Sequence, residues 1–267
     1  LACLATAAVC GELSLDGHLR PVSGVLAMAD QISREPELDS FFLPEANAEE
    51  AAIVADLRVF AVASLREMTE GLEGQRQLCP TQVDTAALFA KGQGGQRLDM
   101  ADVRGQQAAK RALTIAAAGA HNILLLGPPG SGKTMLARRL PGILPDLTFA
   151  ESMEVTKLFS ISGLLPLDQP LLTQRPFRAP HHTASAVSII GGGANPRPGE
   201  ISLASHGVLF LDELPEFHRD VLEALRQPLE DHKVIIVRAA GRVEFPAHFQ
   251  LIGASNPCPC GYFGDSL

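Results

Sequence analysis

Hydrophobic positions along the chain fall into two successive α/β patterns separated by a polar stretch. In the first, Val9–Leu15 alternates like a strand, Asp16-Gly17 marks a tight turn, and His18–Arg20 resumes before Pro21, which predicts a hairpin. Val25–Ile32 and Ala48–Ala55 carry helical spacing, Phe41–Leu43 and Leu57–Phe60 read as short strands, and Ser64–Glu73 predicts a helix ended near Gly74. From Cys79 to Leu98 the composition turns polar and glycine-rich, above all at Lys91–Gly95, the profile of a linker. The predicted organisation is a small α/β domain over 1–80, a linker over 81–97 and a larger domain over 98–267.

In the larger part, Asp99–Ala118 predicts a capped helix, Asn122–Leu126 a buried strand and Met135–Leu140 a further helix. Thr148–Ser162 is helical, with Met153, Val155 and Phe159 as its apolar positions. Ser185–Gly199 reads as a short apolar strand meeting a flexible tip, an inserted hairpin or loop outside the core. Gly207–Leu211 is a buried strand, and His218–Gln227 is a helix with Val221, Leu222 and Leu225 on one face until Pro228 interrupts it. Lys233–Arg238 and Arg242–Pro246 pair as a hairpin, and Phe249–Asn256 is another buried strand. Near-continuous apolar strands between helical segments predict an α/β fold, a parallel sheet flanked by helices.

The chemistry is concentrated at the ends of these strands. Gly127-Pro128-Pro129-Gly130-Ser131-Gly132-Lys133-Thr134 matches the phosphate-loop pattern G-x-x-x-x-G-K-[ST] at every defined position, with a strand before it and Met135 opening the helical pattern after it. Its glycines let backbone N–H groups face phosphate oxygens, and the helix N-terminus adds its dipole. Lys133 neutralises β/γ-phosphate charge, and Thr134 offers a hydroxyl to Mg²⁺. The expected ligand is ATP. Asp212 and Glu213 end the strand Gly207–Leu211, where Asp212 is placed to hold Mg²⁺ and Glu213 to orient or deprotonate the attacking water. Asn256, at the end of its strand, supplies an amide beside Glu213 that can position that water. The paired His181 and His182 invite a metal reading, but adjacent residues on extended backbone face opposite sides and no third ligand has a persuasive spacing. A structural or nucleotide-proximal role is expected instead. Lys233, Arg238 and Arg242 bracket the hairpin and are candidates for phosphate contacts to a polyanion.

Composition narrows the partners. A net charge of −8 excludes a generally basic nucleic-acid binder, so DNA contact must come from a local basic surface. Five scattered cysteines suit a reducing compartment better than a disulfide framework. Leu1–Val9 is apolar but lacks a basic segment and is too short to span a bilayer; no other run approaches that length. A cytoplasmic location without membrane contact is expected.

Gly11-Glu-Leu-Ser-Leu-Asp-Gly17 and Leu19–Gly24 resemble the peptidase domain of Lon, as found at the N-terminus of the ComM family. In active Lon peptidases a lysine follows this segment; Val25–Ala29 contains none, and the region expected to hold the serine nucleophile lies before residue 1. A serine without an activating amine is a weak nucleophile, so the resemblance implies an inactive domain. Ser14 and Ser23 then read as turn and strand residues. Asp102–Leu113 resembles the segment that packs near the adenine in AAA+ ATPases, which implies Val103 and Gln106 as base contacts.

His121–Ala137, Arg175–His182, Gly199–Ala204 and Gly207–Phe217 resemble the AAA+ domain of the magnesium-chelatase-like group, most closely the ComM family, here truncated at both ends. The resemblance implies a P-loop AAA+ core and a homo-oligomer, a hexameric ring whose pore is lined by Ser185–Gly199 and Lys233–Pro246. It implies an ATP-driven motor acting on single-stranded or branched DNA in recombination and natural transformation. It also places an arginine finger and a helical lid beyond Leu267. Two readings compete: a magnesium chelatase ATPase subunit, which lacks a Lon-like part, and a nucleotide-dependent scaffold, against which Lys133, Asp212 and Glu213 count. Cys258 and Cys260 could form half of a zinc site, but no four-ligand set is complete, and zinc is unsupported.

Overall fold

Strands with apolar side chains on both faces organise each part of the chain. The structure, a computed structural model, describes residues 6–93, 98–193, 195–238 and 241–257. Contacts divide the chain into two units, Leu1–Gly92 with Ser152–Leu172, and Gln93–Glu151 with Thr173–Leu267.

The first unit contains β1 (Ala7–Val9), β2 (Glu12–Leu13), β3 (Leu19–Arg20), α1 (Val25–Ile32), β4 (Ser40–Pro44), α2 (Glu45–Ala51), β5 (Arg58–Val62), α3 (Leu65–Leu72) and α4 (Thr85–Gln93). Its sheet runs β1-β4-β5, all parallel. The predicted strand Val9–Leu15 is broken: β1 joins this sheet, whereas β2 pairs with β3 around the Asp16-Gly17 turn. A helix whose first turn has no side-chain cap needs a substitute for its orphan N–H groups. Gly24 caps α1 without a side-chain bond, and the carboxylate of Glu50 supplies it by accepting Leu26 N–H at 2.9 Å. Asn47 bonds both the N–H and the carbonyl of Val22 at 3.0 Å.

The second unit contains α5 (Gln107–Gly119), β6 (Ile123–Leu126), α6 (Lys133–Ala137), the start of α7 (Phe149–Ser162), β7 (Phe177–Arg178), α8 (Ala186–Ile190), β8 (Gly191–Gly192), β9 (Arg197–Pro198), α9 (Glu200–Leu203), β10 (Val208–Leu211), α10 (Arg219–Ala224), α11 (Arg226–Asp231), β11 (Lys233–Arg238), β12 (Gly241–Pro246) and β13 (Gln250–Ser255). The sheet order is β6-β13-β10-β7 with every pairing parallel. Val208, Leu209 and Leu211 are 0% exposed and Phe210 1%. Full burial of each such side chain contributes about 1.5–3 kcal/mol. Leu113, Leu125, Leu136, Leu140 and Ile252 form one core with Val208 and Phe210.

Four expectations are corrected. The stretch 81–97, read as a linker, contains α4, because Asp84 accepts Ala87 N–H at 2.9 Å and good helix formers follow it. Residues 152–172, read as part of the larger domain, belong with the first unit, where Met153 and Leu171 pack with Leu26 and Ile53. The apolar run after Ser185 is a helix, not a strand: the Ser185 hydroxyl accepts Ser188 N–H at 3.1 Å, and that cap decides a run whose hydrophobicity alone is ambiguous. Pro228 does not end the helical stretch but sits in the first turn of α11, where a missing N–H costs nothing. Among the described residues, no helix is long and apolar enough to cross a membrane.

Glu151 ties the second unit's Arg175 and His206 together, at 3.6 Å and 3.4 Å. Burial raises its pKa, but the Thr148 N–H, Arg175 and His206 outweigh burial and hold the carboxyl below its usual value. A carboxyl depressed in the folded state stabilises above its unfolded pKa of about 4.3 and loses that contribution as pH falls through the folded value. Glu151→Gln is therefore expected to flatten the fall of the urea midpoint between about pH 6 and pH 3. Parallel midpoint curves for the two proteins would contradict this.

Candidate nucleotide site

Three parallel strands bring their C-terminal ends to one edge of the sheet, where α/β folds place ligands. β6 runs into the glycine-rich loop, and Gly127 N–H continues the ladder to Ser255 O at 3.3 Å. The chain then turns through Gly130 (φ 77°) and Gly132 (φ 87°), left-handed conformations that favour glycine. Gly132 caps α6, which spans only Lys133–Ala137. So short a helix carries little macrodipole, and anion attraction rests on the loop's N–H groups and Lys133.

Lys133 Nζ donates to Gly127 O at 2.7 Å, to Pro128 O at 3.0 Å and to Asn256 Oδ1 at 3.1 Å. All three ammonium donors are thus held by the loop and by the end of β13. Thr134 donates its hydroxyl to Asp212 Oδ2 at 2.8 Å, and Asp212 Oδ1 accepts Glu213 N–H at 3.0 Å. Two hard oxygen donors lie side by side there, the ligand type that Mg²⁺ takes together with water. Glu213 itself is left-handed at φ 51°, an uncommon conformation for a residue with a β-carbon. Its carboxylate, 54% exposed, lies 3.0 Å from His182 Nδ1. A cavity of about 400 Å³ is lined by Lys133, Thr134, Asp212, Glu213 and Asn256, with Pro129 and Met135 at its walls.

Other expected contacts are placed less uniformly. Gln106 reaches the loop, donating to Ser131 O at 3.2 Å. Val103 is buried in the core at 3% exposure, and its carbonyl accepts from Lys110, so its side chain does not face the cavity. Asn256 lies on Lys133 and shares the cavity with Glu213. His181 and His182 do not face opposite sides: Ala184 N–H bonds His181 O at 2.9 Å, and that turn brings the rings together, tilted by 35° with centroids 4.1 Å apart. The structural or nucleotide-proximal role expected of the pair named no partner, and the contact of His182 with Glu213 appears only in the structure.

The predicted hairpin is present as β11–β12, but Gly241 belongs to the strand and not to the turn: Lys233 lies opposite Pro246, Val237 opposite Arg242 and Arg238 opposite Gly241. Its basic residues are partly neutralised by Glu244, which lies 3.3 Å from Lys233 and 3.7 Å from Arg242. Arg238 donates to Val237 O at 3.3 Å. Cys258 and Cys260 lie outside the described residues. Among the described residues, no cluster of three or more His, Cys, Asp or Glu side chains could hold a metal ion.

A family model described as magnesium chelatase, subunit ChlI, matches residues 99–267. The competence protein ComM of Haemophilus influenzae is 49% identical over 259 residues, covering 94% of this chain and 49% of ComM. The protein YifB of Escherichia coli is 42% identical, covering 95% of this chain and 48% of YifB. Lon protease 2 of Bacillus subtilis is 28% identical over 184 residues, covering 59% of this chain and 32% of the protease. The chain spans about half the length of ComM and YifB. With the family match running through the phosphate loop, Asp212, Glu213 and Asn256, the chain belongs to the magnesium chelatase subunit ChlI family and is a ComM-like AAA+ protein.

Proposed function

We propose that the second unit binds ATP with Mg²⁺ and hydrolyses it to drive remodelling of single-stranded or branched DNA, as in recombination and natural transformation. The observation that carries this reading is the convergence of Lys133, the Thr134–Asp212 pair and Asn256 on one cavity. The Ser131 hydroxyl adds to it, since it is buried in the loop without a hydrogen-bond partner among the described residues. A phosphate oxygen supplies the missing acceptor, and buried polar groups demand one.

Incoming phosphates compete with the carbonyls of Gly127 and Pro128 for the Lys133 ammonium, a stronger charge-assisted pairing. Gln106 holds the loop on the side assigned to the base. Thr134 and Asp212 would hold Mg²⁺, which neutralises charge across the β- and γ-phosphates when bound. Glu213 takes the proton of the attacking water as its oxygen bonds to the γ-phosphorus and the bond to ADP breaks. Asn256, released from Lys133, orients that water through its amide.

A homo-oligomeric ring, hexameric by family resemblance, would bring the hairpin residues Lys233, Arg238 and Arg242 of several copies around one strand. Repetition of modest charges then offsets Glu244. We place the protein in the cytoplasm, with Cys10 and Cys79 as free thiols. The first unit is proposed as an inactive Lon-like domain. A second reading, ATP-driven metal insertion into a porphyrin, is favoured by the family match over residues 99–267. Porphyrin metallation by the full-length protein, without DNA-stimulated ATP turnover, would select it.

Lys133→Ala is expected to weaken binding of a fluorescent ATP analogue on the order of a hundredfold, from the loss of a charge-assisted contact, while leaving the first unit folded by circular dichroism. Retained affinity would show that the loop is not the anchor. Glu213→Gln is expected to bind nucleotide normally and to lose roughly 10²-fold or more in turnover. The double variant Arg238→Ala/Arg242→Ala is expected to weaken single-stranded DNA binding and to lower the salt slope by roughly 0.7 per lost phosphate contact. An unchanged slope would remove the hairpin from the DNA path.

A further inference from the structure

Where β10 and β13 begin, at the edge of the sheet opposite the phosphate loop, a cavity of about 410 Å³ is walled by alanines at the end of α5, by Leu144 and Pro145, and by three histidines. His206 lies two residues before β10, His232 directly precedes β11, and His248 follows β12 by two residues. Their rings form a ladder. His232 and His248 are nearly parallel, with 21° between the planes and centroids 5.1 Å apart, and His248 and His206 repeat the arrangement at 20° and 5.6 Å. Backbone bonds fix the rungs: Ala247 N–H donates to His232 O at 2.9 Å, and His206 N–H donates to His248 O at 2.6 Å. His206 is half-buried, whereas His232 and His248 are exposed. Parallel aromatic rings that open from a cavity to solvent offer a face on which a further planar ring stacks.

The cavity is polar without being an anion site. Arg175 lines it, but Nε donates to Pro145 O at 2.5 Å, Nη1 to His206 O at 2.6 Å and Nη2 to Asp146 O at 3.3 Å, so backbone carbonyls occupy the guanidinium. The Glu151 carboxylate, beside Arg175 and His206, adds negative charge to the same wall. A phosphate is repelled there, and a neutral ring is not. Gln250 decides what that ring must carry. It is 6% exposed, and its amide nitrogen donates to Ala116 O at 3.0 Å and to His121 O at 2.5 Å, which fixes the other end as the oxygen. That Oε1 is buried with no hydrogen-bond partner among the described residues. Such an acceptor calls for a donor. The N–H edge of a nucleobase supplies one as the lining side chains give way.

We propose that this cavity receives one amino-bearing nucleobase of a single DNA strand, its face on the histidine ladder and its N–H edge toward Gln250 Oε1. This deepens the DNA reading and rests on it. The base belongs to a strand because the ladder and the candidate phosphate contacts share one hairpin: Lys233 follows His232 directly, and Arg242 lies on the strand that leads to His248. The charged backbone then stays outside on the hairpin while one base turns inward. Phosphate contacts position a strand, and a stacked base adds grip that tolerates any sequence offering a flat face. The site is separate from the ATP cavity, which lies at the C-terminal ends of the same strands.

The test is binding of fluorescently labelled strands of equal length and charge by the full-length protein: one of deoxyadenosine, one of its N6,N6-dimethyl form and one of abasic sugar phosphate. Wild type is expected to hold the adenine strand roughly tenfold tighter than the abasic one, the scale of one stacked base. It should hold the adenine strand about threefold tighter than the dimethylated one, the scale of one hydrogen bond. His248→Ala removes the middle rung and keeps the backbone bonds. It is expected to lose the preference for bases while binding the abasic strand as wild type does. His232→Asn, a residue that tolerates the left-handed backbone there (φ 55°), should shift the preference the same way. A purely structural role for the histidines would instead weaken all three strands alike, and that result overturns the proposal. So does equal binding of adenine and abasic strands by wild type, or a preference that survives both substitutions; each leaves the DNA reading standing. Equilibrium dialysis with adenosine separates the sources of a base: uptake that depends on His248, without any preference for base-bearing strands, overturns the strand in favour of a soluble nucleoside. A wild-type protein that binds none of the strands removes the DNA reading and this proposal with it.

Discussion

The parallel register of β6, β13 and β10 is the constraint from which the site follows. Leu126 lies opposite Ser255, and Leu211 opposite Gly253, so the next residues on each strand emerge at one edge. A shift of one residue in either pairing would turn every side chain to the other face. It would also carry Asn256 off Lys133 and Asp212 off Thr134, contacts now made at 3.1 Å and 2.8 Å. The register is held by burial. The four residues of β10 are buried throughout, and Ile252 and Ala254 of β13 pack in one core with Val208 and Phe210. The core therefore sets the chemistry by setting which residues leave the sheet together.

Every charged group at that edge has a protein partner. Lys133 is held by two carbonyls and an amide, Asp212 by a hydroxyl and a backbone N–H, and Glu213 by an imidazole. None of these partners is an opposite full charge on Lys133 or Asp212, so a polyphosphate and a divalent cation displace weaker contacts by stronger ones. The glycine-rich loop does not need rebuilding for that exchange. Its left-handed turns at Gly130 and Gly132 are present already, which spares the ordering cost that a flexible loop would add on binding.

The same pattern appears in the first unit, where a buried carboxylate has no cation beside it among the described residues. Glu50 receives the Leu26 N–H, the Asn47 amide and the Ser160 hydroxyl. Three donors from three segments satisfy a group that is costly to bury alone. The acidic overall charge of −8 and the Glu244 contacts on the hairpin point the same way. Positive charge is scarce here, and where it is used it is placed.

Local pattern alone revealed the phosphate loop, the strand Asn122–Leu126 that leads into it, the strand Gly207–Leu211 with the carboxylates that follow it, and the hairpin Lys233–Pro246. These are features whose period or spacing is complete within a few residues. It failed where partners are distant in sequence or where a single cap decides. The run after Ser185 is a helix because one hydroxyl caps it, and Pro228 is harmless because of where its helix begins. Residues 152–172 lie with the first unit because Leu171 and Met153 find Leu26 and Ile53 a hundred or more residues away along the chain. Val103 looked available for a base and is instead spent in the core. The pairing of His182 with Glu213 depends on a turn that brings two rings together and on the left-handed backbone of Glu213, and neither leaves a period in the sequence. Chemistry-bearing residue types were legible because chemistry demands them. Which of them face one another was decided only by the fold, because burial and register act between residues that the chain keeps far apart.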